Sequence, residues 1–245
     1  MSNIKELKSK FNEKYRNIVS DQKLGKPKPS IEKPYPLDVE LIMLSKDFKV
    51  SGLSLLVAMQ NRKSRRKFSG NKIALDELSF LLWATQGVRN SDNPIFRTVP
   101  SAGARHPLET YLVVHKVEGL QNGLYRYLPI EHALYCIEKE EAIVDKLKVV
   151  IPSSNPISMG LDNCAITFLW AAIPYRTEWR YPGMGVKVIG QDAGHVCQNL
   201  YLAVEAINSG VCAVDAYVQD AADELLCIDG QDEFTVYMAV VGKVI

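Results

Sequence analysis

The run Arg62-Lys63-Ser64-Arg65-Arg66-Lys67-Phe68 places five cations within six residues. Like charges this close repel one another, so the run needs either bulk solvent or an anion. One reading is a solvated basic loop. The other is a clamp, in which arginine forks take phosphate oxygens bidentately and the Ser64 hydroxyl serves a phosphate or a polar ring edge. The run follows a predicted helix and adjoins apolar residues, a placement that suits a pocket rim better than a free tail. A second stretch, Arg97 to Pro107, sets Ser101, Ala102 and Gly103 between Pro100 and Pro107. Small residues let a backbone pass close to a flat ligand, with the Ser101 hydroxyl and the Gly103 amide as donors. The same residues also describe a plain turn. A third, Asp192-Ala193-Gly194-His195, opens a long helix. His195 is by type more often structural than catalytic, and Gly194 inside a helix points to close packing against a neighbour. A fourth, residues 174–187, carries Tyr175, Arg176, Trp179, Arg180 and Tyr181 and ends in Pro182-Gly183-Met184-Gly185. It reads as a lid that stacks on planar substrates or pairs with acidic ones, or as a surface loop packed by its own aromatics.

These residues need elements to position them. Residues 1–21 carry Ile4, Leu7, Phe11, Tyr15 and Ile18 at helical spacing. Pro27, Pro29, Pro34 and Pro36 then forbid regular structure over residues 24–36. This arm either crosses its own core, crosses a partner subunit, or is a flexible tail. Short helices are expected over 53–61 and 220–227, clearer ones over 75–87 and 140–150, and a long one over 186–208, stopped by Asn208, Ser209 and Gly210. The polar, Pro-bearing stretch 90–104 is a loop. Strands are expected at 109–117, 164–173, 211–217 and 234–241, with a hairpin from 123–127 and 133–137. Helices and strands mixed in this way, with a hairpin, give an α+β or mixed α/β class with a sheet at least partly antiparallel.

Composition narrows the function. The 245 residues fit one domain, or one domain with an arm, and Lys plus Arg (29) nearly balance Asp plus Glu (28). That balance gives no reason to expect nucleic acid or an anionic membrane surface as partner, although a local cluster still binds a phosphate. Cys136, Cys164, Cys197, Cys212 and Cys227 form no C-x-x-C pair, so buried free thiols in a reducing compartment are expected and a zinc site is not. The N-terminus lacks the continuous apolar core of a secretory signal and no stretch is long enough to span a bilayer, so a soluble cytoplasmic protein without a metal is expected.

Taken together, these stretches resemble the nitroreductase family. The basic run resembles its opening flavin motif. Leu78 to Gly87 followed by Arg97 to Pro107 resembles the second block, most of all in the branch that includes the oxidases of azoline-modified peptides. Gln191-Asp192-Ala193-Gly194-His195 with Gln198-Asn199-Leu200, and Val214-Asp215-Ala216-Tyr217, resemble the third. Asp232-Glu233 with Val240-Val241-Gly242 resembles the closing strand. The motifs are weak singly and specific in their order and spacing. They cover about residues 51–243, which divides the chain into a helix and Pro-rich arm (1–50) and a nitroreductase-like FMN-binding domain (51–245).

The resemblance implies an α+β fold, a mixed sheet surrounded by helices in an intertwined homodimer with two FMN sites at the interface. It implies that Arg62, Lys63, Ser64 and Arg66 hold the phosphate, ribityl chain and pyrimidine edge. Pro100, Ser101, Ala102 and Gly103 would approach the flavin from the other subunit. Asp215 and Ala216 would present a backbone amide to the ring, and Lys243 would sit near the phosphate. Tyr175, Arg176, Trp179 and Arg180 form the expected substrate loop. No side chain is assigned as a catalytic acid or base, because the flavin carries the chemistry. The implied activity is ping-pong transfer from NAD(P)H to a small planar acceptor such as a nitroaromatic or quinone. No G-x-G-x-x-G follows a strand, but this fold stacks nicotinamide directly on the flavin. The sequence ends soon after the closing strand, where many relatives continue with a tail, so the arm is expected to replace that tail at the interface. Other readings stay open: dehydrogenation of a modified peptide, flavin destruction to make a cobalamin ligand, flavin binding without turnover, or a basic-loop module without flavin.

Overall fold

In Leu108–Val114, Tyr111 and Val113 enter one hydrophobic cluster while Leu112 and Val114 enter another, the period-2 alternation of a strand covered on both faces. The computed structural model describes residues 18–50, 52–89, 92–154 and 157–245. The helix expected over residues 1–21 falls outside them except for residues 18–21, which are extended chain and a turn. Seven strands form one sheet: β1 (Leu41–Met43), β2 (Leu108–Val114), β3 (Gly123–Leu128), β4 (Ala133–Lys139), β5 (Ile166–Ala172), β6 (Ser209–Val214) and β7 (Phe234–Lys243), in the order β1-β4-β3-β2-β5-β7-β6. Every pairing between these strands is antiparallel, and the sheet is mixed only through isolated parallel bridges at Ser64–Val211 and Ile73–Val117.

The helices are α1 (Leu55–Asn61), α2 (Leu75–Gln86), α3 (Ile143–Val150), α4 (Tyr175–Glu178), α5 (Gly185–Ala203) and α6 (Gln219–Leu225). Leu78, Leu81 and Leu82 of α2 and Val196 and Leu200 of α5 cover one face of the sheet; Ile143 and Leu147 of α3 and Ala222 and Leu225 of α6 cover the other. Each fully buried leucine contributes about 1.5–3 kcal/mol. Glu77 caps the start of α2 by accepting from the Ala74 amide at 2.9 Å. The long helix continues as a 3-10 turn to Ile207 and ends at Asn208, which takes the left-handed conformation (φ 49°). Gly87 ends α2 in extended backbone (φ −61°, ψ 143°).

The Pro-rich arm is not a tail. Its described part lies along its own chain. Pro has no N–H and a kinked arm has no strand partner, so its carbonyls need donors from elsewhere. Side chains supply them: Trp179 Nε1 to Lys26 O (3.1 Å), Arg105 to Pro29 O (3.1 Å), Arg97 to Ile31 O (2.7 Å), and Arg126 to Lys33 O and to Pro34 O (3.0 Å). β1, inside the stretch assigned to the arm, pairs with β4, so residues 41–43 belong to the same sheet as the rest.

Under the arm sits Glu109, a fully buried carboxylate in β2. It accepts from Arg176 Nη2 at 2.6 Å, from Arg126 Nη2 at 3.0 Å and from the Lys33 amide at 2.9 Å. Burial alone would raise its pKa, but the two guanidiniums outweigh burial and hold it below the ordinary carboxylate range. Glu109→Gln removes one side of a buried ion cluster. Urea unfolding at pH 7 should show a loss of about 3–5 kcal/mol, and a loss below about 1 kcal/mol would contradict the assigned role.

Glu32, on the arm, accepts from the Ile130 amide at 3.1 Å. Its pKa is pushed up to about 7 by burial and then by the nearby Glu131 and Glu109 carboxylates. A carboxyl raised in the folded state contributes stability that is complete below its unfolded value near 4.5 and is lost as pH rises through about 7. Amide protection factors over residues 26–36 should therefore fall between pH 6 and pH 8, and Glu32→Gln should flatten that dependence.

Candidate functional site

The basic run is ordered by backbone contacts, not by acids. The Arg65 amide donates to Val211 O at 2.9 Å beside the Ser64–Val211 bridge, and the Ser69 amide donates to Lys243 O at 2.9 Å. The run thus crosses from the edge of β6 to the end of β7. Glycines permit the approach: a Cβ on Gly210 would lie 2.8 Å from Arg65 Cβ, and one on Gly242 would lie 2.8 Å from the Phe68 ring. Phe68 is buried and anchors the far end.

Within the run, only Arg65 is neutralised, by a two-pronged pair with Glu205 at 2.5 and 3.1 Å. Arg62, Lys63, Arg66 and Lys67 are exposed, and among the described residues no carboxylate forms an ion pair with them. Tyr201 ties this run to the end of β6. Its hydroxyl accepts from the Ala213 amide at 3.0 Å and shares a 2.9 Å hydrogen bond with Ser64 Oγ, while Arg62 lies 5.5 Å from its ring centre. Asp215 and Ala216 follow directly and are exposed. The structure therefore brings Arg62, Lys63, Ser64 and Arg66 to one end of the sheet with the Asp215-Ala216 segment.

Lys243 is turned elsewhere. Its ammonium binds Glu77 Oε1 at 2.5 Å and Ile207 O at 2.8 Å, joining the last strand to the start of α2, and this occupies the charge expected to face a phosphate.

The second stretch forms a different assembly. Ser101 Oγ donates to Asp192 Oδ2 at 2.6 Å and accepts from the His106 amide at 2.9 Å. Burial raises the Asp192 carboxyl despite the Ser101 hydrogen bond. Ala102 and Gly103 follow in a 3-10 turn, and Pro100 and Gly103 are exposed. Gly103 is left-handed (φ 59°), and so are Ala104 (φ 50°) and His106 (φ 47°). Tyr181 and Arg180 lie against Gly103, where an added Cβ would meet the Tyr181 hydroxyl at 2.6 Å.

Asp192 and Tyr201 are nine residues apart on α5. That is about 13 Å along the axis and half a turn around it. The Ser101 loop and the Ser64 run therefore lie on opposite sides of α5, and one chain does not bring them together. The outward face of α5 presents Val186, Gly190, Gly194 and Gln198 at successive four-residue steps, all exposed, and among the described residues a Cβ at either glycine would meet open space. The close packing expected at Gly194 is thus not made by the described residues. Beside it an apolar groove of about 450 Å³ opens among Leu55, Ala58, Phe80, Trp83 and Leu202.

The expected substrate loop is largely built into the fold. Arg176 is buried, with Nη2 on Glu109 and Nη1 donating to His106 O at 3.0 Å, because Glu109 needs cationic partners in the interior. Trp179 is buried under Arg105, 5.0 Å from ring centre to guanidinium. Tyr175 donates to Asp21 at 2.9 Å. Arg180 is exposed, with its guanidinium 5.5 Å from the Tyr181 ring centre. His195 is exposed on α5. Of the thiols, Cys164, Cys197 and Cys212 are buried, whereas Cys136 is half-buried and Cys227 exposed. No described helix is long and apolar enough to cross a membrane.

Tyr201, Glu205 and Glu109 were not legible as site residues. Tyr201 lies inside the predicted long helix with no motif of its own, and no local pattern marks a buried carboxylate in a strand. Tyr201→Phe removes the shared partner of Ser64 Oγ and the Ala213 amide. We expect a loss of about 1–3 kcal/mol in urea unfolding, and unchanged stability would mean that the bridge is incidental.

Comparison with known proteins agrees with this architecture. Residues 59–243 match the family model described as the nitroreductase family. A protein of Methanocaldococcus jannaschii, named as a candidate nitroreductase, is 33% identical over 182 residues, 74% of this chain and 87% of that protein. The crystal structure of a candidate nitroreductase from Ralstonia eutropha JMP134 matches with a TM-score of 0.69 at 22% identity, covering 86% of this chain and 92% of that one. A chain of the E. coli microcin synthetase McbBCD complex with truncated pro-MccB17 bound matches with a TM-score of 0.63 at 18% identity, covering 99% of this chain and 92% of that one.

Proposed function

The chain belongs to the nitroreductase family of oxidoreductases, and on that premise we propose that it is a cytoplasmic, FMN-dependent homodimer that passes electrons from NAD(P)H to a small planar acceptor such as a nitroaromatic or quinone. The observation that carries this reading is the exposed strip Arg62–Lys67, fixed on the sheet end by its backbone and carrying four cations that have no acidic partner among the described residues. These residues fit FMN. A phosphate dianion would lie against Arg62, Lys63 and Arg66, and Ser64, held by Tyr201, offers a hydroxyl to the polar part of the ligand. Bound there, FMN supplies the two-electron chemistry in a ping-pong sequence.

The protein's own residues bind and orient. Arg62 is held over Tyr201 and so reaches outward from a rigid base. Tyr201 fixes Ser64 and the Ala213 backbone at once, which sets the position of the Asp215-Ala216 segment beside the ring. Ser101, Ala102 and Gly103 complete the site when a second copy supplies them, since they stand across α5 from the strip. The open stripe at Val186, Gly190 and Gly194 and the exposed Leu55, Leu56 and Met59 of α1 favour such a neighbour. Arg180, beside Gly103, would then border the acceptor's position.

A second reading is a flavin-dependent dehydrogenase of a modified peptide. It is favoured by the microcin synthetase chain, whose likeness extends over the arm as well as the family region. That likeness is one of fold, so this reading stands second.

The test is the visible absorption spectrum of the purified protein, recorded anaerobically before and after NADH or NADPH. Flavin bands bleached by either nucleotide are expected. Bands that persist would favour the peptide dehydrogenase or a flavin-binding protein without turnover. Absence of bands, even after FMN is added back, would overturn the proposal. Arg62→Ala and Arg66→Ala should each weaken FMN binding roughly ten- to a hundredfold, the range for losing one charge-assisted hydrogen bond.

A further inference from the structure

We infer that the proline-rich arm is a positioning element for the site loop 97–106, gripping it at both ends through Arg97 and Arg105. The loop's place at the flavin rests on the function proposed above; its attachment to the arm does not. The arm lies outside the residues that match the family model.

The loop needs outside support. Gly103, Ala104 and His106 all have positive φ within four residues, and for a residue with a side chain that conformation costs about 1–2 kcal/mol. Such backbone persists only where its surroundings over-determine it. Inside the domain, Ser101 accepts from the His106 amide, His106 Nε2 contacts Ile95 O at 2.8 Å, and Arg176 binds His106 O. Ser101 also binds Asp192 and Thr98 binds Trp83 O, and the arm adds two restraints of its own, at Ile31 O and Pro29 O.

Arg97 opens the loop. One end of its guanidinium donates to Gln86 Oε1 at 2.9 Å and the other to Ile31 O at 2.7 Å. Arg105 closes the strained turn. Its Nε donates to Arg176 O at 2.9 Å and its Nη2 to Pro29 O at 3.1 Å, with its flat face on the Trp179 ring. Trp179 is itself held by the arm, through Nε1 to Lys26 O and through Gln22 N to its own carbonyl at 2.9 Å. Pro29 and Ile31, two residues apart on the arm, thus span two arginines eight residues apart on the loop. The arm is a cross-brace between the loop's ends. Because Arg105 lies between the left-handed residues Ala104 and His106, releasing its guanidinium frees the turn that presents Gly103.

The test compares wild-type protein with Arg105→Gln, which keeps a stem over Trp179 and loses the fork. Arg105→Lys, which retains the charge and one donor, serves as the conservative variant and as a substitute if Arg105→Gln does not fold. Three quantities are read: amide protection over residues 26–31 and 101–106, FMN dissociation constant by fluorescence titration, and urea midpoint. Protection should fall in both segments together, FMN binding should weaken at least tenfold, and the urea midpoint should fall by less than it does for Glu109→Gln; Arg105→Lys should recover part of the FMN loss. Loosening of the loop with unchanged FMN affinity would overturn the positioning role. Loosening of the loop without the arm would overturn the brace. If the wild-type protein itself binds no FMN, the proposed function fails and the inference's link to the site fails with it, while exchange still decides whether arm and loop are coupled.

Discussion

The buried Glu109 carboxylate is the constraint around which much of this molecule is arranged. A charge taken out of water in the centre of a sheet is tolerated only with close partners. Glu109 has two, Arg126 from β3 and Arg176 from α4, and both are almost fully buried. Two guanidiniums against one carboxylate leave an excess of N–H donors in the interior. Arg97 and Arg105, also buried, add more. The excess is satisfied by backbone carbonyls, and the arm provides them at residues 29, 31, 33 and 34. Proline explains why those carbonyls are available: a segment that cannot enter a ladder has acceptors to spare. Arm and ion cluster therefore depend on each other, and Lys33, whose amide binds Glu109, joins them directly.

The same network decides what the stretch 174–187 can do. Aromatic and basic residues in a loop suggest a lid, but a buried carboxylate recruits cations from whatever segment is nearest. Arg176 is drawn inward to Glu109 and Trp179 becomes the platform for Arg105, so the segment is a buttress for the 100–106 turn with Arg180 left at its rim. The strip at residues 62–67 belongs to a second and separate system, positioned by β6, β7 and Tyr201 and divided from the first by α5. A single chain presents both halves facing apart, so one chain alone does not close a site between them.

Sequence reading reached the fold because its signals are local and redundant. Alternating and continuous apolar runs mark the strands, the helical spacing of Leu78, Leu81 and Leu82 marks α2, and Asn208 marks the end of the long helix. The basic run was legible as a candidate site because charge density is visible in one dimension. Much of the rest was not. Whether a proline-rich arm is bound depends on donors more than sixty residues away, which no window contains. In sequence Arg176 belongs to an expected substrate loop and Lys243 to an expected phosphate site, until the fold reveals Glu109 and Glu77 beside them. Tyr201 carries no mark of its role, since a tyrosine on a helix face serves a core as readily as a site.

The contrast between the two systems bears on ligand size. Over the whole chain basic and acidic residues almost cancel, 29 against 28, and acids are available beside the strip, where Glu205 takes Arg65 and Glu77 takes Lys243. Arg62, Lys63, Arg66 and Lys67 have no acidic partner among the described residues against that background. A surplus of this extent within one short segment generates a strong field only nearby, because salt screens exposed charges over roughly 8–10 Å. A polyanion would need basic residues repeated along a surface, and the near-neutral composition does not provide them. A compact dianion needs only a few cations held at fixed positions. The backbone pairing with Val211 and Lys243 provides that fixity within the chain itself, so the strip's arrangement suits a single phosphate group better than an extended anionic partner.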